Sequence, residues 1–187
     1  MRLVLTWRSP PSASCARWSS TPETSSAEGP ANATVDHYEA AVVGRPGDSS
    51  WYAFDRARYR LLRYDIFPRR LIRYALCPPD TLREGATIVQ RIVLGPVSVE
   101  MAVRVIDVWD REEGNVREVG FTYATLVGHA ECGVATFRVR RDQDQGVRIL
   151  IDVRSRPGTR LTHLARPVSR LFQRAITRAA LRRLARS

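Results

Sequence analysis

Lysine is absent from this chain, so all 30 of its Lys-or-Arg positions are arginine and its net charge is +11. Without lysine no Walker-type phosphate loop can form, because that loop needs an ammonium group at the phosphates. Cysteine is almost as scarce. Cys15, Cys77 and Cys132 are an odd number, far apart and in no C-x-x-C pair. Their spacing defines neither a disulfide framework nor a zinc site, and a reducing cytoplasm is the expected compartment. No run approaches the roughly 18 apolar residues that a membrane-spanning helix needs. The G-x-S-x-G elbow and the G-x-G-x-x-G turn are also missing. Acidic residues are absent before Glu23.

That last absence marks off the first 34 residues. They are rich in Ser, Thr, Pro and Ala and carry Arg2, Arg8 and Arg17. Such a composition resembles a transit peptide, but it also suits a disordered leader, which is the expectation adopted for 1–34. The globular domain is expected over 35–187. An apolar fraction of 44% is too high for disorder throughout.

Within the domain the patterning is legible. His37 to Val43 reads as a strand. Asp48, Ser49 and Ser50 offer caps for a helix running to about Tyr64, with Phe54, Ala57, Leu61 and Tyr64 on one face. Six further strands are expected: 66–76, 87–94, 97–109, 116–126, 134–141 and one from Val147. Gly95-Pro96 reads as a two-residue hairpin turn and 110–115 as a polar loop. Val97, Val99, Met101, Val103 and Val105 alternate with polar residues, the mark of a half-buried strand. A last helix over 162–186 carries an apolar side (Leu164, Val168, Leu171, Phe172, Ala175, Ile176, Ala179, Leu184). Arg166, Arg170, Arg174, Arg178, Arg182 and Arg186 recur at every fourth position.

The most specific block is Gly120-Phe121-Thr122-Tyr123-Ala124-Thr125-Leu126-Val127-Gly128-His129-Ala130-Glu131-Cys132-Gly133, closing on Phe137. With Ser155-Arg156-Pro157, Pro167 and Gln173, it resembles the uncharacterised domain-of-unknown-function family numbered nineteen-ninety. Many relatives have two acidic residues where this chain has Val134-Ala135. The resemblance, together with the element order, implies an α+β helix-grip (START-like) fold. In such a fold a curved antiparallel sheet of about seven strands wraps a long C-terminal helix and leaves a cavity between them. The family brings no established activity.

Several constellations bear on function. His129 is a candidate acid or base, or a hydrogen-bonding group at a cavity mouth. Tyr123 and Thr125 share one strand face two residues apart and offer two hydroxyls to a cavity wall. Arg156, near the end of the last strand, is a candidate for an anionic ligand group. His129-Ala130-Glu131 is not a deaminase zinc motif, because the later P-C-x-x-C is missing. The tryptophans do not interleave with arginines as a single-strand stacking platform would.

The leading expectation is therefore a binding domain for an apolar or amphipathic small molecule, with Tyr123, Thr125, His129 and Arg156 as polar contacts. It needs no metal or cofactor and has no catalytic residues. One alternative is a small acid/base enzyme using His129 with Tyr123. Another is peripheral binding of anionic membrane or nucleic acid through the arginine ladder, without specific nucleic-acid recognition.

Overall fold

The computed structural model describes residues 2–5, 10–44, 47, 49–78, 82–158 and 166–186, with the side chains of 166–169 left undescribed. The elements are β1 (Arg2–Leu5), a 3₁₀ turn (Pro11–Ser14), α1 (Cys15–Ser19), β2 (Thr34–Ala41), α2 (Ser50–Leu62), β3 (Ile72–Cys77), β4 (Thr87–Leu94) and β5 (Val97–Glu113). They continue as β6 (Val116–Thr125), β7 (Glu131–Asp142), β8 (Gly146–Pro157) and α3 (Arg166–Ala185). One antiparallel sheet runs in the order β2-β8-β7-β6-β5-β4-β3. This is the helix-grip architecture: a curved sheet closed on one face by α2 and α3.

Local chemistry sets these elements. Ser49 caps α2, its hydroxyl accepting the Tyr52 N–H at 3.3 Å. Ala53, Phe54, Ala57 and Leu61 are its buried stripe. In β5 the register slips between Val105 and Asp107, so Ile106 is an extra residue on that strand. Such bulges bend a sheet and increase its twist. Asp110 to Glu113, expected in a loop, instead extend β5, because they pair with Val116 to Val119 across a turn at Gly114. Conversely, Ile66 to Leu71, expected in the strand over 66–76, are not part of it, and β3 begins only at Ile72. Gly120 faces Trp109: a Cβ there would stand 2.4 Å from the indole and 2.8 Å from the Phe137 carbonyl oxygen.

The main core lies between the sheet and the two long helices. Phe54, Leu61, Phe121, Phe137, Ile149 and Leu184 are among its members. α3 contributes Thr177, Ala180, Leu184 and Ala185. Leu171 and Ala175, expected on its apolar side, face outward, with Leu171 70% exposed. Leu164 and Val168 fall outside the described side chains. The arginine ladder is partly consumed by ion pairs: Arg170 and Arg174 reach Asp36 at 2.9 and 3.8 Å. Arg178, Arg182 and Arg186 are exposed.

The expectation of a disordered leader needs correction. Arg2 to Leu5 pair with Val97 to Glu100 on β5, beyond the point where β6 ends. The next turns cover the outer face of β4 and β5. There Trp18 packs with Cys77, Val89, Ala102 and Leu126 in a second core. Glu100 is wholly buried beneath this cover. It is bound by Arg91 at 2.6 Å, by the Ser14 hydroxyl at 2.9 Å and by the Trp18 indole N–H at 3.1 Å. Burial pushes the Glu100 carboxyl up, but the donors Trp18, Arg91 and Ser14 outweigh it and hold the group below its ordinary range. The leader therefore supplies two of the groups that stabilise a buried carboxylate. Cys15 and Cys77 are joined as a cystine, which corrects the reading of three unpaired cysteines; Cys132 is free and buried.

Candidate functional site: a cavity between sheet and C-terminal helix

β6 and β7 flank the turn that carries His129, and this turn stands at one end of the cavity under α3. The turn is fastened on its outer side by leader residues. Val127 N–H donates to the Pro22 carbonyl at 2.9 Å, and Thr24 N–H to the Thr125 carbonyl at 2.8 Å. Behind it Gly133 is pressed against β8, where a Cβ would meet the Arg154 carbonyl oxygen at 2.2 Å. Only a residue without a side chain allows this approach of the two backbones.

The cavity has a volume of about 130 Å³. Its apolar wall includes Phe67, Ile92, Met101, Phe137, Val153 and Ile176, and its polar residues include Gln90, Tyr123, Thr125, His129, Ser155 and Gln173. For scale, an apolar cavity of roughly 150 Å³ accepts benzene. Val134 and Ala135 are both on the wall and keep it apolar.

Three of the four expected site residues line this space, with different roles. Tyr123 is desolvated, which pushes its phenol up to about 12 despite a hydrogen bond with Gln90. Gln90 also donates to the Tyr64 hydroxyl at 2.5 Å, making a chain from the core residue Tyr64 through Gln90 to Tyr123 on the cavity wall. Thr125 is committed to structure: its hydroxyl accepts the Gly133 N–H at 3.0 Å and lies 2.5 Å from the Thr24 hydroxyl.

His129 is half-buried and accepts the Glu131 N–H on Nδ1 at 3.0 Å. In the tautomer that accepts this bond the ring proton is on Nε2. Desolvation pulls its pKa down to about 4, against the opposing effect of the Glu131 carbonyl, which lies 3.1 Å from Nδ1 and would accept a proton carried there. At neutral pH it is an uncharged ring whose Nδ1 is already engaged by the Glu131 backbone.

Arg156 is not in the cavity. The alternation that turns Val153 and Ser155 inward turns Arg154 and Arg156 out, so Arg156 is exposed and edges a narrow adjoining crevice with Thr34, Arg170 and Pro157. The same alternation was the available signal for Ser155. Its hydroxyl accepts the Gln173 amide at 3.0 Å, bridging β8 to α3. Gln90 and Gln173 were not anticipated as site residues; each is a single polar residue on an otherwise apolar face, at a spacing shared with core positions. Among the described residues no cluster of three or more His, Cys, Asp or Glu is arranged to hold a metal.

The sequence from residue 18 to residue 183 matches a family described as a domain of unknown function (DUF1990). The chain belongs to the DUF1990 family. In sequence no curated protein matches it. Among solved structures it is similar to the hypothetical protein jhp0584 of Helicobacter pylori, at 10% identity and a TM-score of 0.48 over 80% of this chain and 86% of that one. It is similar to major latex-like protein 151 of Panax ginseng at 10% identity and a TM-score of 0.46, over 79% and 94% of the two chains. It is also similar to a norcoclaurine synthase mutant of Thalictrum bound to a transition-state analogue, at 14% identity and a TM-score of 0.43, over 81% and 94%. Tyr123, Thr125, His129, Phe137, Ser155 and Gln173, all within the matched span, line one cavity.

The His129 environment has a measurable consequence. Its folded pKa, about 4, lies below the ordinary 6.5, so the unfolded chain binds a proton there before the folded one does. The stabilisation is full above pH 6.5 and is lost as pH falls towards 4. Urea unfolding should show stability declining over that window, and His129→Gln should flatten the decline. An unaltered pH profile in the variant would remove this assignment.

Proposed function

We propose that this DUF1990 domain binds, without catalysis, a small apolar or amphipathic molecule between the sheet and α3. The observation that carries the reading is the cavity of about 130 Å³, apolar on most of its wall and furnished with a few placed polar groups. Binding pockets for small molecules share that make-up. The volume suits a monocyclic body, or one end of a longer molecule. His129 offers Nε2–H as a donor, while Tyr123 and Gln90 offer a hydroxyl and an amide.

The acid/base alternative has less support. A histidine near pKa 4 with Nδ1 occupied is a weak base, and a tyrosine near 12 stays a phenol. The reading of a polyanion-binding ladder is weakened by the engagement of Arg170 and Arg174 with Asp36. Cys15–Cys77 removes the premise for a reducing cytoplasm, since cystines persist chiefly in oxidising compartments.

The test is an NMR titration with p-cresol, a ring of suitable size bearing one hydroxyl. Saturable shifts are expected at Tyr123, His129 and Ala135. Ala135→Leu, which fills the wall, should abolish them. His129→Ala should weaken binding only several-fold, the equivalent of about 1 kcal/mol for one hydrogen bond. Equal binding by the Ala135→Leu protein would overturn the proposal.

A further inference from the structure

A second cleft, of about 380 Å³, lies where α2 ends and shares no lining residue with the apolar cavity. Its walls bring together three guanidinium groups, from Arg60, Arg63 and Arg69, and one carboxylate, Asp65. That carboxylate is already engaged. Arg183 reaches it from α3 with contacts of 2.8 and 2.9 Å to its two oxygens, and also donates to the Asp65 carbonyl at 3.2 Å. Arg60 gives one N–H to the Arg183 carbonyl at 3.1 Å.

Arg63 and Arg69 are held differently. Among the described residues neither forms an ion pair. Each lies over a tyrosine ring instead, Arg63 5.4 Å from the centroid of Tyr59 and Arg69 5.4 Å from that of Tyr74. A guanidinium set against a ring keeps N–H donors for a ligand; Arg69 gives one of its five to the Tyr74 hydroxyl and retains the others.

The backbone between these groups is unusual. Tyr64 has φ +56°, a left-handed conformation rare for a bulky residue. This reversal sends the Tyr64 side chain into the core and puts its neighbours Arg63 and Asp65 on the cleft. Backbone held in such a conformation is concentrated at binding sites.

We propose that this cleft binds a phosphomonoester. A carboxylate would be satisfied by one arginine fork, whereas three converging guanidiniums with their carboxylate neutralised suit a dianion with three terminal oxygens. The volume exceeds that of the phosphate alone and leaves room for a small organic body. The ligand is either a free metabolite or the headgroup of a phosphomonoester lipid, which present the same group.

The experiment titrates the full chain with glycerol 3-phosphate by calorimetry, and separately with phosphatidylcholine vesicles containing phosphatidic acid. Saturable binding to at least one probe is expected, weakening as salt rises. Binding to the free probe assigns a soluble ligand, and binding to vesicles alone assigns a headgroup. Arg63→Gln with Arg69→Gln should lower affinity at least about tenfold at an unchanged melting temperature. Arg178→Gln with Arg182→Gln, on the exposed side of α3, should leave it unchanged. Should the glutamine pair fail to fold, Arg63→Lys with Arg69→Lys keeps the charge and loses the planar fork, and should still weaken binding. Absence of saturable binding to both probes, or equal binding by wild type and the glutamine or lysine pair, would overturn the proposal.

Discussion

Deletion of residues 1–20 is expected to abolish cooperative folding or to remove most of the domain's stability. Three losses coincide. Truncating a buried tryptophan such as Trp18 costs about 3–5 kcal/mol on its own. The cystine between positions 15 and 77, which closes a loop of sequence separation 62, contributes about 2–4 kcal/mol more. Removal of Ser14 and Trp18 also strips two donors from the buried Glu100 carboxylate. Against a net stability of about 5–15 kcal/mol for a domain of ordinary size, the sum is decisive. Urea unfolding of the truncated and full chains measures it. An unchanged midpoint would mean that the leader does not pack as described.

The second large effect concerns the ion pair beneath that leader. Arg91→Met should destabilise by about 3–5 kcal/mol, because it leaves Glu100 buried and without its cation. Arg91→Met combined with Glu100→Leu should recover most of the loss, since an apolar pair in the same space carries no desolvation penalty. The wild-type pair also predicts an acid response. Glu100 titrates below its usual 4.5, so its contribution is present above that value and is lost as pH falls through the lower, folded one. A double variant no more stable than Arg91→Met alone would show that the cost lies in packing and not in charge.

Much of the sheet was legible because alternation is a local signal. Val97 to Val105 and Val147 to Val153 announce both their strands and their inward faces, and the block around His129 marks a turn between paired strands. The leader was not legible for a physical reason. Trp18 and Ser14 act through partners 82 and 86 positions away, and single residues carry no period. Cys15 likewise finds Cys77 only once the first residues cross β4. At the site, the two-residue repeat correctly placed Tyr123 on the cavity face, whereas Thr125 looks equally available until its bonds to Gly133 and Thr24 are known. Arg156 was an avoidable misplacement, since the phase set by Ile149, Ile151 and Val153 continues to Ser155. Gln90 breaks an apolar face without any sequence sign that it joins two tyrosines.

The left-handed turn at Tyr64 limits how this domain can change. A bulky residue in that conformation costs about 1–2 kcal/mol, which glycine would recover. Yet the Tyr64 side chain is wholly buried, packs edge-on to Phe67 and Tyr74, and bonds Gln90, so its removal costs about 3–5 kcal/mol. Asparagine would tolerate the backbone but leave the same void. Every replacement that relaxes the chain opens the core, and every one that fills the core keeps the strain. Selection for stability acting one substitution at a time would therefore leave this position tyrosine, even if the cleft beside it were to lose its use.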